Sequence, residues 1–120
     1  MYISVIDYGS GNLKSAAKAL ETAANNIGEG SKILVTSDPK IIKKSDKIVL
    51  PGQGSFRDCY LGIGKIPGLN EVLNEFVLEK KKPILGICVG MQLFANTGYE
   101  SEETKGFGWI DAEVRKINNM

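Results

Sequence analysis

The sequence predicts an α/β domain in which an open, mostly parallel β-sheet carries helices on both faces. Three observations support this. Short β-rich apolar runs alternate with segments of helical periodicity from the first residues onward. Most of the strand-like runs close in residues suited to turns or helix caps. Strand–helix alternation of this kind is met by right-handed crossovers, which bring every strand-to-helix loop to one edge of the sheet.

Tyr2 to Ile6 is the first strand, ending at Asp7 and a Gly-Ser-Gly turn. Leu13 to Ala24 reads as a helix, because Leu13, Ala16, Ala17, Leu20 and Ala24 share one face; Asn25, Asn26 and Gly28 stop it. Lys32 to Thr36 is the second strand, and Ser37-Asp38-Pro39 signals the start of a short helix over Lys40 to Lys44. Lys47 to Leu50 is the third strand, closed by Pro51-Gly52-Gln53-Gly54, and Leu69 to Lys80 is a long amphipathic helix. Ile84 to Cys88 is the fourth strand, Gly90 to Ala95 begins another helix, and Gly106 to Ile117 reads as extended. The loops after Ile6, Leu50 and Ile87 should therefore converge on one crevice at the carboxyl ends of the strands, where open sheets of this kind bind ligands.

Composition removes several functional classes. Fifteen basic and fourteen acidic residues leave a net charge of +1 with the basic residues scattered, so no nucleic-acid partner is expected. The one basic cluster, Glu79-Lys80-Lys81-Lys82, reads as a solvated helix end. No apolar run approaches the length needed to span a bilayer, and the N-terminus lacks the basic region of a signal peptide, so a cytoplasmic protein without membrane association is expected. Two cysteines outside any CxxC pattern and the absence of histidine argue against a zinc site or a disulfide scaffold. No metal or cofactor is expected.

The segment with the most chemical content is Pro83 to Gln92. A buried apolar strand runs directly into Gly86-Ile87-Cys88-Val89-Gly90 and then a helix, the cysteine counterpart of a nucleophile elbow. Small residues flank the nucleophile because the tight turn brings backbone segments close together. A thiol at a helix N-terminus gains thiolate character from the dipole, and the Val89 amide is placed to donate to an oxyanion. Gly52, Gln53 and Gly54, at the end of the third strand, face the same crevice, and the Gln53 backbone is the candidate second oxyanion donor. Gly9 to Ser15 fits neither phosphate-binding pattern, because Leu13 and Lys14 stand where each requires glycine. Cys59, between Asp58 and Tyr60 without a glycine frame, reads as structural.

These segments together resemble the class I glutamine amidotransferases, which share a flavodoxin-like fold. More closely they resemble the glutaminase-subunit family of imidazole glycerol phosphate synthases. The resemblance rests on Ile6 to Leu13, Thr36 to Pro39, Leu50 to Phe56 and Leu85 to Phe94, in the family's order along nearly the whole chain. It implies that Cys88 forms a glutamyl thioester from glutamine, and that the released ammonia passes to a (β/α)8 cyclase subunit, the heterodimer partner, in histidine biosynthesis. It also implies that Gln92 and Glu100 hold the substrate glutamine and that Asn12 lies near the cyclase interface. Gln53 departs from the smaller apolar residue expected between the two glycines. Family members continue beyond this length and supply a histidine and a glutamate that complete the triad. Residues 1–120 are accordingly expected to be the N-terminal part of a single amidotransferase domain, with the C-terminal part missing and almost no activity alone. Two alternatives stay open at this stage. One is the glutaminase of another class I amidotransferase, and the other is a non-catalytic flavodoxin-like binding module.

Overall fold

The computed structural model describes residues 1–27, 30–100 and 102–117. Gly28, expected to stop the first helix, and Met120 lie outside the described residues. The elements run β1 (Tyr2–Ile6), α1 (Leu13–Ile27), β2 (Lys32–Thr36), α2 (Pro39–Lys43), β3 (Lys47–Gly52), α3 (Phe56–Gly64) and α4 (Leu69–Asn74). A π turn over Glu75–Glu79 follows, then β4 (Ile84–Cys88), α5 (Val89–Gln92), β5 (Ala95–Tyr99), β6 (Glu103–Lys105) and β7 (Ile110–Arg115).

The first four strands form one wholly parallel sheet in the order β2-β1-β3-β4. Parallel register sends residues of like parity to one face. Ile6, Ile48 and Leu50 pack with Ile42, Ile63, Leu69, Leu73 and Phe76 from α2, α3, α4 and the π turn. Val5, Val49 and Leu85, in register across three strands, belong to the other face. There α1 lies over β1 and β2. The face of α1 expected from periodicity is the one that turns inward: Leu13, Ala16, Ala17, Leu20 and Ala24 are each half-buried while their neighbours are exposed. At the sheet's edge on β4, Leu85 remains 54% exposed.

Local signals account for most boundaries. Asp38 caps α2, its Oδ1 accepting from the Lys40 amide at 2.9 Å, with Pro39 in the first turn. The helix expected over Leu69 to Lys80 is present but changes pitch, with α4 giving way to a π turn closed by the Lys80 amide donating to the Glu75 carbonyl at 2.9 Å. Lys82 is not simply solvated, since its Nζ donates to the Ser45 carbonyl at 3.1 Å and sits over the Phe76 ring.

The structure differs from the sequence reading in three places. Helix α3 was not anticipated, although Ser55 caps it and Phe56, Cys59 and Ile63 form its buried face at helical spacing. The helix expected to continue from Gly90 to Ala95 is a single turn, after which the chain becomes strand β5. And the extended C-terminal segment pairs not with the main sheet but with β5, in a separate sheet of order β6-β5-β7. Tertiary packing overrides local preference here. A Cβ at Gly98 would overlap the Phe56 ring, so the chain lies flat against that ring, and Phe107 stacks on Trp109 at 4.4 Å, which in turn meets Phe94 at 5.1 Å.

Chemical denaturation should separate these contributions. Phe76→Ala is expected to cost about 3–5 kcal/mol, because the ring is fully buried in the core. Asp38→Ala should cost about 1 kcal/mol, the usual worth of an N-cap. Equal losses in the two variants would refute this assignment.

Candidate active site

The site begins with the pairing of β3 and β4, whose register sets Gly52 opposite Cys88. At Cys88 the backbone leaves the strand with φ 54° and ψ −125°, and Val89 opens α5. A non-glycine residue at such a φ is strained by its Cβ, and strain of this kind persists only where the surroundings enforce it. The enforcing contacts are backbone on backbone. A Cβ at Gly90 would strike the Leu50 carbonyl, one at Gly86 would strike the Met91 backbone, and one at Gly52 would lie 2.5 Å from the Gly90 amide nitrogen. The glycine frame expected from the motif is thus a steric requirement, and it leaves the Cys88 thiol exposed. With α5 reduced to one turn, few peptide dipoles align behind the thiol, so the expected dipole contribution has little basis. As first residue of α5, Val89 has no intrahelical partner for its amide.

Cys88 opens on a cleft of about 580 Å³. Asn12, Gly52, Gln53, Gly54, Cys88 and Val89 all line it, together with Ser15, Ala16, Pro51 and Ile87. The three strand-end loops therefore meet in the crevice the topology implied. Asn12 also has a structural duty there, its Oδ1 capping α1 by accepting from the Ser15 amide at 3.2 Å.

The Pro51–Gly54 loop is held from the side away from Cys88 by residues the sequence reading passed over. The Ser10 hydroxyl both donates to the Gln53 carbonyl, at 2.9 Å, and accepts from the Gln53 amide, at 3.0 Å. The buried Cys59 thiol donates to the same carbonyl at 3.4 Å and lies 3.3 Å from Ser10 Oγ. The Tyr8 hydroxyl donates to the Pro51 carbonyl, and burial, reinforced by the neighbouring Cys59 thiol, pushes its phenol well above the ordinary tyrosine range, which keeps it a donor. A helical reading of residues 55–64 would have brought Cys59 to this loop; nothing in the sequence singles out Tyr8 or Ser10 as its other holders.

Gln92 and Glu100 do not line the Cys88 cleft. Gln92, on α5, carries a buried Oε1 with no hydrogen-bond partner. The Glu100 carboxylate, beyond β5, accepts from the Phe56 amide at 3.3 Å at the start of α3. Among the described residues no group of three His, Cys, Asp or Glu side chains could hold a metal ion, and no helix is long and apolar enough to cross a membrane.

A parallel sheet flanked by helices, with a cysteine on a glycine-framed elbow at its carboxyl edge, defines a class, and the family comparison agrees. The chain matches the model of the class-I glutamine amidotransferases over residues 4–115 and belongs to that family. Within it, the chain is similar to the imidazole glycerol phosphate synthase subunit HisH of Pelagibacter ubique, with 50% identity over 120 residues, all of this chain and 56% of the relative. It is also similar to the proteins of the same name from Brucella suis and Bradyrhizobium diazoefficiens, at 49% and 50% identity over 117 residues, 98% of this chain and 54% of each relative. The chain spans about half the length of the curated relatives it matches.

If the elbow is strained as its φ implies, removing the Cβ should stabilise the protein. Cys88→Gly is expected to gain about 1 kcal/mol over Cys88→Ala in urea denaturation, the relief of strain exceeding the extra backbone entropy of glycine. A Cys88→Gly variant less stable than Cys88→Ala would remove the strain argument.

Proposed function

We propose that this chain is the nucleophile-bearing part of a glutaminase subunit of imidazole glycerol phosphate synthase. In this reading it hydrolyses glutamine to glutamate and ammonia, and the ammonia passes to a (β/α)8 cyclase subunit in cytoplasmic histidine biosynthesis. The observation that carries the reading is the exposed Cys88 thiol, held at positive φ opposite Gly52 at the mouth of a cleft.

The chemistry then follows from the placement of groups. The Cys88 thiolate attacks the side-chain carboxamide carbon of glutamine, and the carbonyl oxygen takes the negative charge of the tetrahedral intermediate. The Val89 amide is the first donor to that oxygen. Gln53 supplies the second once the Gly52–Gln53 peptide turns its N–H from Ser10 toward the cleft, a turn that Gly52 allows. Collapse of the intermediate expels ammonia and leaves a glutamyl thioester on Cys88, which water hydrolyses to glutamate. The family resemblance assigns Gln92 and Glu100 to the substrate's amino group, which requires the buried Gln92 amide to turn out toward the cleft and Glu100 to release the Phe56 amide. Asn12, exposed on the carboxyl edge beside the cleft, faces the side proposed for the cyclase. The reaction needs neither metal nor cofactor.

The 120 residues contain no histidine, so the base that takes the thiol proton and returns it to the leaving ammonia comes from outside them. A positioned base typically contributes a factor of about 10² to 10⁴, so these residues alone should turn over glutamine at no more than about 1% of the complete enzyme's rate.

A glutamine-mimicking electrophile, followed by peptide mass spectrometry, tests the assignment. In the complete enzyme it should label Cys88 and spare the buried Cys59, and Cys88→Ala should lower glutamine hydrolysis by at least about a thousandfold. Hydrolysis surviving in Cys88→Ala would overturn the proposal.

A further inference from the structure

The end of β3 and the elbow meet at one point, and a third element reaches the same point. The position that a Cβ on Gly52 would take lies 2.5 Å from the Gly90 nitrogen, 3.0 Å from the Val89 carbonyl carbon and 2.9 Å from the Tyr8 hydroxyl oxygen. Tyr8, just beyond β1, is only 7% exposed, and its ring packs on Gly62 of α3, where a Cβ would come within 3.3 Å. The hydroxyl donates to the Pro51 carbonyl. That carbonyl belongs to the Pro51–Gly52 peptide, so the bond fixes the plane of this peptide and not of the next one along. Pro51 and Gly52 line the Cys88 cleft, whereas Tyr8 lines only the depression on the other side, with Ser10 and Asp58. One wall of the cleft is therefore held from behind by a buried side chain.

We infer that Tyr8 is a positioning residue of the site, its hydroxyl setting the Pro51–Gly52 wall of the cleft against the Val89–Gly90 turn that presents Cys88. The inference rests on the glutaminase reading above and adds a residue to it. A buried phenol suits this task. Its ring is clamped between α3 and the end of β3, and burial keeps its proton in place, so the donor is present throughout the neutral range. Phenylalanine would fill the same space but leave the Pro51 carbonyl without this partner. The wall would then be held by its pairing with β4, and Gly52 has no side chain to resist a tilt. A misplacement of about 1 Å can cost a factor of about 10² in rate. Because the wall aligns the bound carboxamide with the Cys88 sulfur, the loss falls on the transition state more than on binding.

The test uses the complete enzyme with its partner subunit, as wild type, Tyr8→Phe, and a protein carrying 3-fluorotyrosine at position 8, which keeps the donor. Three quantities are read: kcat and KM for glutamine, the rate at which iodoacetamide alkylates Cys88, and the thermal midpoint. Tyr8→Phe is expected to lower kcat about tenfold while KM and the alkylation rate stay within about twofold of wild type, because the elbow itself keeps its place. The fluorotyrosine protein should keep the wild-type kcat. A merely structural tyrosine would lower the thermal midpoint of Tyr8→Phe and leave the kcat of the folded enzyme unchanged, which overturns the inference but not the glutaminase reading. An equal loss of kcat in the fluorotyrosine protein places the effect in packing and overturns it as well. No glutamine hydrolysis in wild type, with Cys88 unlabelled by the glutamine-mimicking electrophile, overturns the glutaminase reading and the role of Tyr8 with it.

Discussion

Two stretches of backbone lie so close at the elbow that no side chain fits between them. Gly90 rests on the carbonyl of Leu50, and Gly52 faces the amide of Gly90. Sheet spacing fixes the distance between β3 and β4, so the first turn of α5 can descend beside β3 only if those positions lack a Cβ. From that contact the remaining geometry follows. The descent forces Cys88 to a positive φ and leaves its thiol exposed at the start of α5. The register between the two strands then sets the Pro51–Gly54 loop opposite the thiol. An open crevice at the carboxyl edge is common to many sheets of this type. What distinguishes this one is the close backbone approach that exposes a cysteine at its mouth.

A strained residue persists only where its surroundings are more rigid than the strain is strong. Here the rigidity comes from two directions. Beneath the sheet, Leu50 and Ile48 pack against Ile63, Leu73 and Phe76. Beside α5, the small second sheet closes over Phe56, with Phe107 stacked on Trp109 and Phe94 tilted against it. The Trp109 indole donates to Asn74 Oδ1 at 2.8 Å, tying that sheet back to α4. The second sheet thus buttresses the turn that presents Cys88.

The main sheet and the elbow were legible in the sequence because each rests on local or near-local signals. The strands alternate with periodic helices, α1 turns inward on the very positions that periodicity marked, and glycines frame the cysteine. The second sheet was not legible, since Ala95 to Tyr99 is extended only because Gly98 lies flat on the ring of Phe56, forty-odd residues away. Its partner strands are set by similar long-range contacts. The network on the Pro51–Gly54 loop was hidden for the same reason. Ser10 and Cys59 are unremarkable where they stand in the chain and meet only where the β1–α1 loop approaches α3. Helix α3 is a different kind of miss, because its cap and its Phe56-Cys59-Ile63 spacing were present in the sequence.

The two faces of the main sheet are unequally covered, and the inequality bears on how the site works. The face carrying Ile48 and Leu50 is sealed by three helices and a π turn, whereas the face carrying Val49, Leu85 and Ile87 has α1 over one side only. Ile87 and Pro51 are in register and belong to that thinly covered face, so the Cys88 cleft opens where the covering is least. Exposure suits the entry of glutamine but not the later steps. Ammonia released into bulk water is diluted rather than delivered. The proposed chemistry therefore needs a cover on this face that also brings the missing base to the thiol. A single addition that does both would couple closure of the cleft to activation of Cys88, so the nucleophile would become reactive only once its product had a protected path out.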